Sequence, residues 1–255
     1  MYQKNQHPIV ACFDGLLDIR DTIWRYLKEN PNDPGGHFAN YCAINSMNSH
    51  AQLFQDLFVA FLLKGKRDGF FVEFGATNGR DLSNTFVLEH HFGWRGILAE
   101  PAKCWASALR FNRKAAIDTR CVWSETGAQL EFKETEVAEL STLSSLVDKD
   151  FNKGGRVKGT TYLVDTVSLN DLLKTHHAPR EIDYLSIDTE GSELLILQAF
   201  NFADYNIKIM TVEHNFVEPN RHDVFKLLTA NGFIRLFEVL SKFDDWYVKR
   251  TLLGW

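Results

Sequence analysis

The mostly apolar run Phe70-Phe-Val-Glu-Phe74 is followed at once by the tight turn Gly75-Ala-Thr-Asn-Gly79. A run of that length suits a buried core strand of a parallel sheet, and the two glycines let the main chain turn sharply and approach a ligand closely. Strand and helix patterns then alternate. Gly96 to Glu100, about Ala116 to Trp123, Ile182 to Asp188 and Ile207 to His214 read as further strands. Helices are expected at about Leu82 to His91, Ala102 to Arg113, Ser192 to Asn201 and Arg221 to Asn231. This rhythm predicts an α/β fold whose parallel sheet carries helices on both faces through right-handed crossovers. Phe233 to Val239 and Asp244 to Lys249 predict a closing antiparallel hairpin.

Upstream, Leu53, Leu57, Ala60 and Phe61 recur at helical spacing within Ala51 to Leu63, with Gln55 and Asp56 on the other side. A helical stretch around Leu16 to Leu27 and the breaker Asn30-Pro-Asn-Asp-Pro-Gly-Gly36 predict a helical cap over residues 1–48, separate from a catalytic domain over 49–255. Gly127 to Glu134 and Thr160 to Val167 alternate like exposed strands around a polar connection, 141–158, which is expected to form a mobile rim. Ser168 is placed to cap a short helix ending near Thr175.

Composition narrows the function classes. At 255 residues, 45% hydrophobic and 24% charged, the chain can bury a large core, which excludes disorder. A net charge of -5 leaves no broad basic surface, so nucleic acid is not an expected partner. No apolar run approaches the roughly 20 residues of a membrane span, and no basic-then-apolar leader is present, so the expected location is cytoplasmic. Cys12, Cys42, Cys104 and Cys121 are too scattered for a zinc knuckle or a disulfide scaffold.

Candidate chemistry gathers where such folds bind ligands, outside the carboxyl ends of the strands. Glu100 ends the second strand 21 residues after Gly79, near the spacing at which an acid reaches ribose hydroxyls. A dinucleotide turn would need glycine at Thr77, and Glu73 would repel phosphates while attracting an amine or a sulfonium. Those features favour S-adenosylmethionine (SAM), a phosphate-free cationic nucleoside. In Tyr184-Leu-Ser-Ile-Asp188-Thr-Glu190-Gly-Ser-Glu193, clustered carboxylates raise one another's proton affinity, which suits a catalytic base.

Val72-Glu-Phe-Gly-Ala-Thr-Asn-Gly79, Leu98-Ala-Glu-Pro101, Val167-Ser-Leu-Asn-Asp-Leu172 and Ile187-Asp-Thr-Glu-Gly-Ser-Glu193 together resemble the FkbM family of SAM-dependent methyltransferases, over roughly residues 50–250. The resemblance implies a class I methyltransferase (Rossmann-like) fold: a mostly parallel seven-stranded sheet, helices on both faces, a C-terminal antiparallel hairpin and, here, an N-terminal helical extension. It implies methyl transfer, most often to a hydroxyl of a sugar, glycan, polyketide or other small natural product. Carried over by position, it implies that Glu73, Gly75 and Gly79 surround the methionine part of SAM, with Gln55 and Asn78 in support. Glu100 would hold the ribose hydroxyls, and Trp123 and Ser124 would lie at the adenine; a core role for Trp123 is the equal alternative.

Asp188 and Glu190 are the expected catalytic pair, with His214 in second rank. Asp188, Glu190, Glu213 and His214 could gather a divalent cation, but nothing in their spacing requires one and no metal is assigned. The rivals are a nicotinamide-dependent oxidoreductase, which lacks its middle glycine and a hydride-transfer set, and a non-catalytic binding protein on the same fold. The oligomeric state stays open, a homo-oligomer included.

Overall fold

A computed structural model describes residues 8–253. After helices α1 (Pro8–Glu29), α2 (Pro34–Asn45) and α3 (Gln55–Leu62), the chain runs β1 (Phe70–Phe74), α4 (Phe86–His90), β2 (Arg95–Ala99), α5 (Ala106–Asn112) and β3 (Ala116–Asp118). An inserted stretch contributes β4 (Cys121–Trp123), β5 (Gln129–Thr135), β6 (Thr142–Leu143) and β7 (Gly159–Ser168). The chain returns through α6 (Leu169–Thr175), β8 (Glu181–Ile187), α7 (Glu193–Ala199), β9 (Asn206–Glu213), α8 (Glu218–Ala230), β10 (Phe233–Leu236), α9 (Glu238–Ser241) and β11 (Asp244–Lys249).

The main sheet has seven strands in the order β10-β11-β9-β8-β1-β2-β3. All its pairings are parallel except those of β11, which runs antiparallel between β9 and β10. The strand order reverses between β1 and β8, and a crevice opens outside their carboxyl ends. Gly75 and Asp188 stand at that point.

The pleat divides the core in two. Phe70, Val72 and Phe74 of β1 pack with Leu185, Ile187, Met210 and Val212 against α6, α7 and α8. Phe71 packs on the opposite face with Tyr184, Ile209 and Trp246 against α2, α3, α4 and α5. Strand residues two apart share a face, so this phase also sets where each polar residue of β1, β8, β9 and β11 points. Helix α2, not anticipated beyond its breaker, starts because Asp33 accepts from the Gly36 N–H at 2.6 Å and Pro34 occupies the first turn. Its Phe38 stacks on Phe237 at 5.2 Å and joins the Phe58–Trp246 cluster, so the N-terminal extension shares a core with the sheet.

Two expectations are corrected and one sheet is added. The stretch 116–123 is two strands, because Arg120 turns back to bond the Asp118 carboxylate at 2.9 and 2.6 Å and β4 leaves for another sheet. That second sheet, β4-β7-β5-β6, was not anticipated as a unit. The polar connection 141–158 is structured: it carries β6 and short 3-10 turns arranged around the buried Arg156.

Candidate functional site

A cavity of about 320 Å³ lies at the sheet's switch point. Its floor is Phe74, Gly75 and Thr77 after β1 and Ala99, Glu100 and Pro101 after β2, with Asp188, Thr189 and Glu190 after β8 and Glu213 and Asn215 after β9. Cys121, Val122, Phe132 and Leu143 form an apolar flank, and Leu140, Ser141 and Asn152 of the rim close over it. Among the described residues, five carboxylates, Glu100, Glu139, Asp188, Glu190 and Glu213, line this space, and no Lys, Arg or His does.

The turn after β1 is built in the left-handed region, with φ of 70° at Gly75, 45° at Thr77 and 78° at Gly79. Threonine tolerates it at the middle position because its N–H donates to Glu100 Oε2 at 2.8 Å. Glu100 Oε1 accepts from the Ala102 N–H at 2.8 Å, so one carboxylate ties both turns together. Burial pushes the Glu100 carboxyl up to about 7, against the pull of those two N–H groups.

On β8 and β9 the register sets Ile187 opposite Val212, which brings Asp188 level with Glu213. Oxygens of Asp188, Glu190 and Glu213 all lie within 4.8 Å of one another. Burial and then the Asp244 charge push Asp188 up to about 7, and burial and Asp188 push Glu190 up to about 8 although Arg156 opposes it. Glu213 is raised well above the usual carboxylate range by burial and by both neighbours. Glu190 Oε2 accepts from Arg156 Nη2 at 2.5 Å and from Asn215 Nδ2 at 3.1 Å, and Asn215 Nδ2 also donates to Glu213 Oε2 at 2.8 Å.

Of the residues named from sequence, Gly75, Glu100, Asp188 and Glu190 come together on the cavity wall. Glu73 does not: on the Phe71 face it lies beneath α4, accepting from Ser83 Oγ, the Asn84 N–H at 2.7 Å and Thr85 Oγ1, with Arg113 at 3.5 Å. Gln55 is buried beside Asp244, to which it donates at 2.7 Å. Asn78 caps its own turn by accepting from the Arg80 and Asp81 N–H groups, and Gly79 packs against Leu109 and Arg113. Trp123 packs half-buried on the Phe132 cluster, and neither it nor Ser124 lines the cavity.

His214 falls on the other side of β9. Glu213 and Asn215 face the cavity, so the residue between them turns toward α8, where its ring lies 3.8 Å from Asp245 near Arg221. Burial lowers its pKa. Asn84, Asn152, Arg156 and Asn215 join the site with no local motif to announce them; Glu213 could have been ranked from the parallel register alone.

The sheet order, the glycine turn and the acid after β2 define a class I methyltransferase fold. The chain belongs to the Methyltransferase FkbM domain family, whose description matches residues 73–235. Similar solved structures include a precorrin-6y C5,15-methyltransferase from Geobacter metallireducens GS-15, 8% identical with a TM-score of 0.40, covering 76% of this chain and 85% of that one. The fibrillarin/NOP5P complex is similar at 13% identity and a TM-score of 0.37, covering 75% and 79%. The chain matches no curated protein. Among the described residues no helix is long and apolar enough to cross a membrane.

Proposed function

We propose that this methyltransferase uses SAM to methylate a hydroxyl oxygen of a small molecule or glycan in the cytoplasm. The observation that carries the reading is a cavity walled by five carboxylates, with no basic side chain among the described residues that line it. A phosphate-bearing dinucleotide would be repelled there, whereas a cationic, phosphate-free nucleoside is attracted. The residues fit that cofactor. Gly75 and Thr77 bring bare turn main chain to the cavity floor, Glu100 offers acceptor oxygens to ribose hydroxyls, and Val122, Phe132 and Leu143 offer an apolar flank to a base.

SAM, when bound, supplies a methyl group on a sulfonium, open to in-line attack. The protein's part is to hold the acceptor oxygen in line and to take its proton. Asp188 is suited to the proton and Glu190, steadied by Arg156 and Asn215, to orientation. His214 is left out of this assignment because it faces α8.

Calorimetric titration with S-adenosylhomocysteine (SAH), SAM and NADH tests the reading: heat with the first two is expected, and heat with NADH alone would overturn it. Glu100 gives the titration a pH signature. Its oxygens already accept two N–H bonds and would accept the ribose hydroxyls too, a role for the ionised form. Its pKa is raised to about 7, so binding below that pH must expel a proton, and SAH affinity should fall about tenfold per pH unit on acidification. Above it the affinity should level off, and Glu100→Gln should flatten the profile.

Asp188→Asn should lower turnover about 100-fold or more while SAH affinity changes only a few-fold. A parallel loss of affinity would assign Asp188 to the cofactor's amine instead of to the proton.

A further inference from the structure

Fully ionised, the acidic wall would carry more negative charge than a SAM-type ligand balances. Sulfonium, amine and carboxylate leave that cofactor with one net positive charge. Asp188, Glu190 and Glu213 crowd three carboxylates within 4.8 Å, and among the described residues the cation touching them is Arg156 on Glu190. Fully ionised, as ligating carboxylates must be, the three would carry three negative charges, and one guanidinium would leave two, which a divalent cation matches.

A second observation points the same way. Asn84 lines this cavity at 7% exposure, and its Oδ1 is buried with no hydrogen-bond partner. Its Nδ2 donates to Ser186 Oγ at 2.9 Å, and Ser186 lies two residues before Asp188 on the same face of β8. An orphaned carbonyl oxygen costs free energy unless something positive or protic meets it. Asn84 lines the same cavity as the three carboxylates, so its oxygen can add to an all-oxygen group.

We propose that Asp188, Glu190 and Glu213, with Asn84 Oδ1, form a binding site for a hard divalent cation, magnesium or manganese. Oxygen ligands without thiol or imidazole select those ions over zinc or copper. The three carboxylate oxygens lie within 4.8 Å of one another, close enough for side-chain movement to bring them onto one ion at about 2.1 Å. Asn215 bonds both glutamates and Arg156 holds one of them, the outer support that fixes ligating carboxylates. On the methyl-transfer reading, the cation would also hold the acceptor oxygen beside Asp188; binding of the ion does not rest on that reading.

The test uses the full chain, stripped with a chelator and titrated with manganese while electron paramagnetic resonance reads the free ion. One bound manganese per chain is expected, with a dissociation constant of about 1 mM or tighter, displaced by magnesium. Glu213→Gln should weaken it at least about tenfold, and the exposed Glu131→Gln should leave it unchanged. If a melting curve shows that Glu213→Gln does not fold, Asn84→Ala is read in its place, with a weakening of about threefold or more expected. No manganese bound at about 5 mM, or unchanged affinity in the folded variant, overturns the site. SAH heat is measured on the same samples. SAH binding without manganese sinks the cation site alone; manganese without SAH sinks the methyl-donor reading alone.

Discussion

Gly75→Ala is expected to lower stability by about 2–5 kcal/mol and to abolish SAH binding. Two costs combine. The φ of 70° puts alanine in the left-handed region. The new Cβ would also overlap the Asp188 carbonyl oxygen, a main-chain atom at the end of β8 with no freedom to withdraw. Gly127 separates these costs, because at φ 90° it has open space around its Cβ position. Gly127→Ala should therefore show strain alone, about 1–2 kcal/mol. Thermal midpoints of the two variants check the argument, at about 2–4 °C per kcal/mol for a chain of this size. Equal midpoints would mean that β1 and β8 can part without cost, and the close approach at the switch point would lose its meaning.

That same approach explains what could be read from the chain and what could not. Strand β1 was legible to its ends, since four apolar residues and one Glu between a charged turn and Gly75 leave little choice. The acid after β2 and the Asp188–Glu190 run were legible because each lies where a strand end meets a turn, a local feature. Facing was harder. A strand buried at every position has no period, so nothing in Phe70–Phe74 says that Glu73 shares the Phe71 face and ends beneath α4. For β9 the phase was available: Ile209 and Thr211 lead to Glu213 on one side, and His214 must take the other.

Long-range partners left no trace. Asn84 and Asn215 reach the cavity and Arg156 stands behind Glu190, and their roles exist only once β8, β9 and the rim are assembled. The second sheet escaped for a related reason. Its strand β4 has three residues and β6 two, below what periodicity resolves, and their pairing depends on β7 arriving from beyond the rim.

Arg156 is the residue on which the rim depends, and Arg156→Ala is expected to cost about 3–5 kcal/mol. Its guanidinium is 1% exposed and forks onto both Asp150 oxygens at 2.9 and 3.0 Å while its third nitrogen donates to the Leu140 carbonyl at 2.9 Å. Its Nη2 reaches Glu190 at 2.5 Å, so one side chain joins Leu140 and Asp150 of the rim to the end of β8. Truncation would strand two buried carboxylates without a counter-charge, the situation in which removal of one partner is most expensive. The damage should be local first. Limited proteolysis should cut the variant within residues 140–158 while the wild type resists, and Leu140, Ser141 and Asn152 should no longer cover the cavity. Arg156→Lys should rescue little of this, because an ammonium cannot reproduce the fork that meets Asp150, Leu140 and Glu190 together. Full protection in the lysine variant would mean that charge alone, and not the shape of the guanidinium, holds the rim closed.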